Sequence, residues 1–148
     1  MGRSNVADVS AKNFRALVSA SRTRCNERSM ETRHYQDLQV WQRSMSLARD
    51  VYAAMEGFPR SEQFGLVSQI RRAAVSVPSN IAEGRGRATA KSFAPFLSQA
   101  RGSLYELQTQ VELAGDLGFI GKERALSIMS EGAEIASMIQ GLVASLQH

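Results

Sequence analysis

Apolar residues recur at alternating spacings of three and four along most of the chain after residue 34, which is the pattern of amphipathic helices. The four series are, in order, Leu38, Trp41, Met45, Ala48, Tyr52 and Met55; Val67, Ile70, Ala74, Val77 and Ile81; Phe93, Leu97, Ala100, Leu104, Leu107, Val111 and Ala114; and Ala125, Ile128, Gly132, Ile135, Ile139, Leu142 and Leu146. Each series predicts the buried side of one helix. No segment shows the strict alternation of apolar and polar residues that is typical of strands.

Residues that begin or end helices separate the four series. Ser61 is a good N-cap for the second helix, because its side-chain oxygen can accept a hydrogen bond from a backbone N–H of the first turn. Pro95 has no backbone N–H to donate, so the third helix is expected to start late, capped by Ser92, or to kink near its beginning. Gly115 and Gly118 predict the end of that helix, since glycine tolerates the positive φ common at helix ends.

Four helices of about 20 to 25 residues joined by short turns predict an all-α fold, an antiparallel up-down-up-down four-helix bundle. The mean spacing of the apolar positions is about 3.5 residues, so the helices are expected to cross with the left-handed geometry of coiled coils. We assign this bundle to residues 34–148 and treat residues 1–33 as a separate N-terminal extension.

Two helices carry a second apolar face beside the first. On the first helix this face consists of Val40, Leu47, Val51 and Ala54, and on the fourth of Leu126, Met129, Ala133, Ala136 and Val143. Apolar stripes of this length exceed what monomers usually expose, which favours self-association. The alternative is that the stripes facing the bundle interior are simply wide.

Charge is distributed unevenly along the chain, whose formal net charge is +4. Residues 1–33 hold seven basic and three acidic residues, and residues 34–148 hold eleven of each. Within the second region, residues 60–101 contain seven basic and two acidic residues, whereas residues 102–148 contain two basic and six acidic ones. The domain is therefore expected to be electrically polarised.

The first 33 residues have little apolar content, and we expect this basic extension to be mostly disordered. One interpretation is an arm that helps to hold nucleic acid. A transit peptide is a second interpretation, although Asp8, Glu27 and Glu31 count against it. The third is an extension without a role, since Met30 stands directly before the patterned region and is itself a candidate start.

Composition limits the classes of function. No apolar run is long enough to span a membrane or to act as a secretory signal, which predicts a cytoplasmic protein. Cys25 is the only cysteine, which argues against a disulfide framework and a cysteine-rich zinc site. His34 and His148 lie at the two edges of the domain, and no carboxylate cluster has ligand spacing. We therefore expect no enzymatic activity, no catalytic residues, no metal site and no cofactor.

The stretch VSVPSNIAEGRGR, residues 75–87, combines helix breakers with polar side chains at the end of the second helix. Pro78 removes the N–H that would bond the carbonyl of Ala74, so a bend is expected there. If the carbonyl is instead left for another partner, Ser76, Ser79 and Asn80 can donate to it.

The same stretch ends with an acid and a glycine. Gly84 is expected to adopt a positive φ and to stop the helix. Glu83 lies near the negative end of the helix dipole, where an acid is unfavourable unless a cation pairs with it. Arg87, or an arginine from a neighbouring helix, is the expected partner. We interpret five residues of the stretch as a structural motif: Pro78, Ser79, Asn80, Glu83 and Gly84.

Five segments of the chain carry a family resemblance. They are DLQVWQ at 37–42, FPRSEQFGL at 58–66, QIRRAAVSVPSNIAEG at 69–84, ARGSLYEL at 100–107 and LGFI at 117–120. In this order and spacing they closely resemble the four-helix-bundle family of 23S rRNA intervening-sequence proteins. The resemblance extends from Tyr35 to Leu146 and leaves out the N-terminal extension.

The resemblance implies a cytoplasmic, ring-like homopentamer of four-helix bundles with no known enzymatic activity. Related proteins are encoded inside intervening sequences of large-subunit rRNA genes. The similar accessory variability determinant protein of diversity-generating retroelements binds nucleic acid and a reverse transcriptase. The implied partners are therefore other copies of the chain and nucleic acid, either rRNA or a reverse-transcriptase complex, and no membrane is implied.

Six basic residues are candidates for a nucleic-acid-binding surface. They are Arg71, Arg72, Arg85, Arg87, Lys91 and Arg101. Three of them, Arg85, Arg87 and Lys91, are expected where the second and third helices meet, with the others two or three turns away. Guanidinium groups and backbone amides of a GRGR turn suit phosphate, whereas no feature there reads bases, so little sequence specificity is expected.

Two functions therefore remain open. The first is an oligomeric, non-enzymatic accessory protein that binds RNA or DNA through this basic surface. The alternative is a protein-binding scaffold whose arginines serve contacts between subunits. Arg72 illustrates the alternative, because it could be a structural arginine between subunits that Glu83 or Glu106 satisfies.

Overall fold

The structure, a computed structural model, describes residues 34–147, and within that range it contains four α-helices and no strands. Helix α1 spans Gln39–Met55, α2 Leu66–Arg85, α3 Ala90–Asp116 and α4 Lys122–Leu146. Short 3-10 helices at Tyr35–Asp37 and Arg60–Glu62 precede α1 and α2. The all-α class and the four helices predicted from the sequence are confirmed. The predictions for residues 1–33 and for His148 lie outside the described residues.

One apolar core joins the four helices. In α2 and α3 every position of the predicted apolar series is buried. In α4 the predicted series is buried up to Ile139, and Leu142 and Leu146 pack against the edge of the core. Both α1 and α3 contact α2 and α4, whereas α1 and α3 do not contact each other within residues 34–147. The helices therefore surround the core in chain order.

The side of α1 that points into the core combines both apolar faces read from the sequence. Val40, Leu47 and Val51, which the sequence placed on a second face, are buried, and so are Ala48 and Met55 of the principal series. Of the large rings in that series, Trp41 is half-buried and Tyr52 is 45% exposed. The smaller branched side chains allow close packing against the neighbouring helices, so the two rings lie at the outer edge of α1. The principal apolar series of α1 is therefore confirmed only in part.

The second apolar face predicted on α4 is divided between core and surface. Ala136 is buried, and Met129 and Val143 are half-buried at the edge of the core. Leu126 and Ala133 are exposed. Part of this face therefore belongs to the core, and part remains uncovered in the single chain.

Helix α2 begins later than predicted and has a different cap. Ser61 lies in the preceding 3-10 helix, and the N-cap position of α2 is Gly65, which has no side chain to donate or accept. The carboxylate of Glu62 supplies the missing acceptor, since Oε2 accepts a hydrogen bond from the backbone N–H of Leu66 at 3.2 Å. An acid also suits the positive end of the helix dipole. The prediction of Ser61 as the cap was wrong.

Helix α3 begins earlier than predicted. Its N-cap is Thr89, whose Oγ1 accepts a hydrogen bond from the backbone N–H of Ser92 at 3.1 Å. Pro95 consequently lies inside the helix rather than in a late first turn. The first four N–H groups of a helix have no partner within the helix, but position 95 lies beyond them. Because proline has no N–H, Pro95 removes one backbone hydrogen bond from the second turn of α3.

The end of α3 agrees with the sequence. Gly118 has a φ of +74°, and its N–H bonds the carbonyl of Gly115 at 3.1 Å. The next N–H, of Phe119, bonds the carbonyl of Ala114 at 2.9 Å. This pair of bonds is a Schellman motif, in which the residue with positive φ is usually glycine. The turn also places the ring of Phe119 5.8 Å from that of Phe58, centroid to centroid, at the core edge.

Candidate nucleic-acid interface

The connection between α2 and α3 brings together three of the six basic residues that the sequence indicated. Helix α2 ends at Arg85 and α3 begins at Ala90, so residues 86–89 form the whole connection. The N–H groups of Gly86 and Arg87 each bond a carbonyl of the last turn of α2 at 3.1 Å. This tight turn keeps Arg85, Arg87 and Lys91 at one end of the helix pair.

Arg87 is held by two contacts that leave it accessible. Its Nη2 lies 3.1 Å from Oε1 of Glu83, one turn back on α2, which confirms the predicted pairing of that acid. Its Cζ lies 4.9 Å from the ring centroid of Phe96 on α3. Both members of the ion pair are more than half exposed, so solvent screens the attraction and Arg87 remains able to meet an anion.

The first turn of α3 adds positive potential to the same place. It contains Lys91, which is exposed, and no acidic residue. A helix N-terminus carries the positive end of the dipole and unpaired N–H groups, so an anion is favourable there and a cation is not. Lys91 makes no ion pair with any described residue. We call the surface formed by Arg85, Arg87 and Lys91 around this N-terminus the basic end.

Two of the remaining arginines, Arg71 and Arg72, lie farther back on α2 and point in different directions. Arg71 packs against α1, where its Cζ lies 4.9 Å from the ring centroid of Tyr52. Its Nε is buried without a hydrogen-bond partner in the described part of the chain. Arg72 is exposed and pairs with neither Glu83 nor Glu106 within residues 34–147 of the single chain, so the suggested pair between subunits stays a prediction.

Arg101 lies on the side of α3 that faces α4. It shares that side with Gln108, seven residues further on, whose Nε2 donates to the backbone carbonyl of Met129 at 2.9 Å. The opposite flank of α3 carries Ser103, whose Oγ is 2.9 Å from that of Ser76 on α2. Arg101 therefore lies on the flank of α3 that faces α4, ten residues along the helix from Lys91 of the basic end.

The polar residues around Pro78 bond other carbonyls than the one expected. Oγ of Ser79 donates to the carbonyl of Val75 at 2.8 Å, and Nδ2 of Asn80 donates to that of Ser76 at 2.8 Å. Neither side chain bonds the carbonyl of Ala74, which was the predicted acceptor. Helix α2 nevertheless continues without interruption through Pro78, which is buried. The two side chains thus support the backbone directly after the missing bond.

Gly84 has a different role from the one predicted. It lies inside α2, and the one glycine with positive φ in the described part of the chain is Gly118. A Cβ added to Gly84 would lie 2.5 Å from Cβ of Phe96 and 2.8 Å from Cδ2 of Phe93. Gly84 is therefore needed for the close approach of α2 and α3, and its prediction as the helix stop was wrong.

Sequence reasoning missed an ion-pair cluster between α1 and α4. Nε of Arg43 donates to Oε1 of Glu131 at 2.9 Å and Nη2 to Oε2 at 2.8 Å, and Nη2 also bonds Glu134. Hydrogen bonds to Glu134 and Glu131 raise the pKa of Arg43 above its ordinary value. The available signal was the spacing of the two acids, which places them on one side of α4.

A second feature that the sequence did not indicate is an apolar groove between α1 and α2. Its volume is about 510 Å³. The residues that line it are Tyr35, Trp41, Met45, Ala48, Arg49, Tyr52, Val75, Pro78, Ser79 and Ala82. The groove exists because α1 turns its smaller side chains inward and leaves its large ones beside α2.

No group of three or more His, Cys, Asp or Glu side chains within residues 34–147 is arranged to hold a metal ion. Arg43, whose pKa is raised, already donates hydrogen bonds to the carboxylates of Glu131 and Glu134. None of the described helices is both long and apolar enough to cross a membrane. What this arrangement can do is attract and hold an anion at the basic end.

Comparison with known proteins connects this geometry to a family. The family model of the 23S rRNA-intervening sequence protein matches residues 36–141. A solved structure from Bacteroides thetaiotaomicron, a protein of unknown function from the S23 ribosomal protein family, superposes with a TM-score of 0.66. The two sequences are 22% identical, and the match covers 70% of this chain and 97% of that one. Among the curated proteins, none matches the chain.

The family match covers most of the chain, including the four helices almost completely and the whole basic end. The solved structure supports the same fold independently. The chain therefore belongs to the family of 23S rRNA-intervening sequence proteins.

Proposed function

We propose that the protein is a non-enzymatic accessory protein that binds RNA or DNA through the basic end, with little sequence specificity. The observation that carries the proposal is the arrangement of Arg85, Arg87 and Lys91 around the N-terminus of α3. Three cations and the helix dipole act there in the same direction, and within residues 34–147 Glu83 is the one acid paired with them. Phosphate groups are the anions that such a site suits best.

The contacts available at the basic end favour the nucleic-acid backbone over the bases. Among the described residues, the aromatic side chain in contact with these cations is Phe96. It is half-buried and covered by Arg87, so it offers no open platform for base stacking. Arg72 and Arg101 are proposed to extend the surface on neighbouring faces. Arg71 is proposed to serve packing instead, because its guanidinium group already lies on Tyr52.

The name of the family supports RNA as the first candidate, since it refers to the intervening sequences of 23S rRNA. We propose rRNA or a reverse-transcriptase complex as the partner, and a cytoplasmic location. We also propose that the chain acts without metal or cofactor. The partner is proposed from the basic end and the family, and the location and the lack of a cofactor from the family.

We propose further that the four helices form an antiparallel, left-handed up-down-up-down bundle. The antiparallel arrangement is supported by the direction in which residue numbers run at the contacts between neighbouring helices. Residue 76 of α2 meets residue 103 of α3, whereas residue 84 meets residue 96, so partner numbers fall as α2 advances. Likewise residue 108 of α3 meets residue 129 of α4, and residue 115 meets residue 125.

The proposed assembly is a ring-like homo-oligomer of five chains. Uncovered apolar side chains on α1 and α4 support it, because a monomer gains nothing by exposing them. A ring would also repeat the basic end and so strengthen the field that attracts a polyanion.

The second candidate function is a scaffold that binds only protein. The groove between α1 and α2 favours it, since an apolar groove of this size suits a helix or a large side chain of another protein. In that case the arginines would serve contacts between chains, and the oligomer would show no affinity for phosphate polymers.

The decisive experiment compares two double variants that remove the same charge. Arg85→Ala with Arg87→Ala removes two cations of the basic end, whereas Arg60→Ala with Arg124→Ala removes two from elsewhere. Binding of labelled RNA and DNA of unrelated sequences is measured against salt. The first double variant should lower affinity for all sequences and reduce the logarithmic salt slope by about 1.4 to 1.8, as expected for two lost phosphate contacts.

The control double variant should leave that slope nearly unchanged. Light scattering on both variants must show the mass of the parent, so that a loss of binding is not a loss of assembly. Absence of binding by the parent near physiological salt, or an equal loss in the control variant, would favour the scaffold.

A further inference from the structure

Glu83 is an acid in the most basic part of the chain. Between residues 63 and 105 the sequence holds six basic residues and no acid other than Glu83. Its side chain belongs to the last turn of α2, directly before the connection to α3. A carboxylate at this place repels the phosphate groups that Arg85, Arg87 and Lys91 are proposed to attract. The surface therefore contains one residue that opposes the binding of phosphate alone.

The stability of the fold gives little reason for an acid at position 83. The residue lies at the negative end of the helix dipole, where a carboxylate is unfavourable. Its ion pair with Arg87 offsets part of this, but Glu83 is 58% and Arg87 51% exposed, and exposed pairs of this kind contribute little. Residues that contradict the local rules of stability are expected at functional sites.

The contact with Arg87 leaves the carboxylate of Glu83 able to accept another hydrogen bond. Nη2 of Arg87 donates to Oε1 at 3.1 Å, and within residues 34–147 Oε2 has no hydrogen-bond partner. An ionised carboxylate is an acceptor only, with room for about four hydrogen bonds on its two oxygens. A further group that binds Glu83 must therefore be a donor.

Arg87 is placed to hold a phosphate at the same time. A guanidinium group has several N–H donors in one plane, and the pair with Glu83 occupies one donor at Nη2. The ring of Phe96, whose centroid lies 4.9 Å from Cζ, covers one side of the group, so the remaining donors point outward along its edges. Two such parallel donors suit a phosphate. Arg87 can thus contact the carboxylate and a phosphate together.

The backbone around this pair is open to a large ligand. Residues 86–90 are all exposed. The neighbours of Arg87 in the chain are Gly86, which has no side chain, and Ala88, which has a methyl group. Small side chains on both sides allow a sugar-phosphate backbone to approach Arg87 and Glu83 closely.

The group of a nucleic-acid backbone that fits this free acceptor is the ribose 2′-hydroxyl. The phosphate oxygens and the ring oxygen of the sugar are acceptors, so along the backbone the 2′-hydroxyl alone can donate. It stands on the carbon atom next to the one that carries the 3′-phosphate. One nucleotide of RNA can therefore place its hydroxyl on a carboxylate and its phosphate on the adjacent guanidinium group. DNA has no such hydroxyl, and its phosphate would meet the carboxylate with no donor between them.

We propose that Glu83 selects RNA over DNA by accepting a hydrogen bond from the 2′-hydroxyl of a nucleotide whose 3′-phosphate is held by Arg87. The inference rests on the proposed binding of nucleic acid at the basic end, and it names the sugar that this site prefers. Repulsion between the carboxylate and a phosphate then contributes to selection, because it lowers the affinity for a strand without the hydroxyl. The selection concerns the sugar rather than the bases, so it agrees with little sequence specificity.

The first test uses the unmodified protein and single strands of one sequence that differ in the sugar. RNA should bind about tenfold more tightly than DNA at the same salt concentration, as expected for a hydrogen bond to a charged group. 2′-Fluoro RNA keeps the sugar pucker of RNA but lacks the hydroxyl donor, and it should bind as weakly as DNA. Equal affinity for RNA and DNA, or 2′-fluoro RNA that binds like RNA, would overturn the proposal.

The second test compares two variants that each remove one negative charge. Glu83→Ala removes the acceptor, whereas Glu56→Ala removes an exposed acid at the C-terminus of α1, on the connection that precedes α2. Glu83→Ala should bind DNA more tightly than the parent does and RNA no more tightly, so that the preference for RNA disappears. Glu56→Ala should keep the preference of the parent. A preference that survives in Glu83→Ala contradicts the assignment.

Glu83→Gln separates the hydrogen bond from the charge. Glutamine keeps an acceptor oxygen at the same length without the negative charge. This variant should therefore retain part of the preference for RNA that Glu83→Ala loses. Equal loss in the two variants would show that the charge alone is responsible, and the proposed hydrogen bond would be abandoned.

The two arginines of the basic end provide a test of position. Arg87→Ala should lower the affinity for both strands and also abolish the preference for RNA, because no cation then holds the phosphate beside Glu83. Arg85→Ala should lower both affinities and leave their ratio unchanged. Equal effects of the two variants on that ratio would assign the preference to the surface as a whole and not to the pair of Glu83 and Arg87.

The outcomes separate this inference from the proposed function. A parent protein that binds neither strand removes both. A parent that binds RNA and DNA equally, with a salt slope that falls in the double variant of Arg85 and Arg87, keeps the proposed function and removes only the selection of RNA. An effect of Glu83→Ala that varies with the base sequence in RNA and DNA alike would assign the carboxylate to a base and would also overturn the inference.

Discussion

The guanidinium group of Arg71 on α2 lies over the ring of Tyr52 on α1, with 4.9 Å between Cζ and the ring centroid. This contact joins two helices at the edge of the groove and gives the cation a partner inside the chain. A cation over an aromatic face is attracted by the ring quadrupole, and its aliphatic stem adds packing. Arg71 is thus placed as a packing residue, although its position in the sequence beside Arg72 suggested a phosphate ligand.

Arg71→Ala is expected to leave nucleic-acid binding nearly intact. Loss of the contact with Tyr52 costs stability, and removal of the unpaired Nε relieves some of it, so the free energy of unfolding should change by less than about 1 kcal/mol. Arg85→Ala is the matched comparison and should reduce the salt slope by about 0.7 to 0.9. Equal effects of the two variants on that slope would show that Arg71 reaches phosphate.

Gly84→Ala should destabilise the fold by about 1 to 3 kcal/mol, because the new methyl group collides with the Cβ of Phe96 and neither helix can move without opening the core. Gly102→Ala is the control, since Gly102 lies in α3 with no atom within 4 Å of an added Cβ. That variant should gain about 0.5 to 1 kcal/mol from higher helix propensity. Urea unfolding followed by circular dichroism measures both.

Pro78→Ala is expected to preserve the fold and to weaken the assembly. The variant regains the N–H that can bond the carbonyl of Ala74, which can stabilise the helix by up to about 3 kcal/mol. Pro78 also lines the groove between α1 and α2, an uncovered apolar surface of the kind that the proposed oligomer would bury. Light scattering during dilution should show dissociation at a higher concentration than in the parent.

Ser79→Ala is the control for this prediction. Ser79 lines the same groove and loses only its bond to the carbonyl of Val75, so the backbone of α2 stays as it is. If Pro78→Ala and Ser79→Ala dissociate at the concentration of the parent, the shape of α2 at Pro78 has no role in assembly.

Arg43→Gln should destabilise the protein modestly, by less than about 1 kcal/mol, because the pairs it breaks are partly exposed. The loss should shrink as salt is added, since salt screens the repulsion left between Glu131 and Glu134. Arg43→Lys keeps the charge without the two-pronged hydrogen bonds and should fall between the parent and Arg43→Gln. Thermal unfolding at low and high salt measures all three.

The pH dependence of the Arg43 contribution follows from the direction of its pKa shift. Hydrogen bonds to Glu134 and Glu131 raise the pKa of Arg43 in the folded chain above the ordinary arginine pKa. The stabilisation by the charged guanidinium group is therefore complete below the ordinary pKa, and it is lost only as the pH rises through the raised pKa of the folded chain. The difference in stability between the parent and Arg43→Gln that comes from arginine titration should therefore be constant between about pH 6 and pH 9. A fall of that difference with rising pH inside this window would contradict the assignment.

Helical periodicity predicted which residues of α1 lie on the same face, but not which face is buried. Two apolar stripes with similar spacing lie side by side on this helix, and the stripe with Trp41 and Tyr52 offers the larger apolar area. The structure buries Val40, Leu47 and Val51 of the second stripe together with Ala48 and Met55 of the first. The choice depends on the shape of the facing surfaces of α2 and α4, which no single helix encodes.

Helix ends are harder to predict from sequence than buried faces, because several neighbouring residues can act as the cap. Ser61 and Ser92 are acceptable caps by residue type, yet the acceptors in the structure are Glu62 and Thr89, each within three residues of the prediction. Several neighbouring side chains could satisfy the same N–H groups, and tertiary contacts select one of them. Gly118 could be assigned because no alternative residue nearby tolerates its φ of +74° as easily as glycine.

In the candidate site, too, contacts between residues close in sequence could be predicted, whereas those that depend on helix packing could not. The short connection places Arg85, Arg87 and Lys91 together through sequence alone, so their association could be predicted. Arg101 lies on the flank that faces α4, and that depends on how α3 is rotated within the core. A charge count along the chain contains no information on that rotation.

The four-residue connection between α2 and α3 also has a consequence for the order in which the chain folds. Closing a short loop costs little chain entropy, so α2 and α3 can pair before the distant ends meet. The contact of Arg43 with Glu131 must instead close a loop of 87 intervening residues. Substitutions between α2 and α3, such as Ser103→Ala, should therefore slow folding, whereas Arg43→Gln should mainly accelerate unfolding.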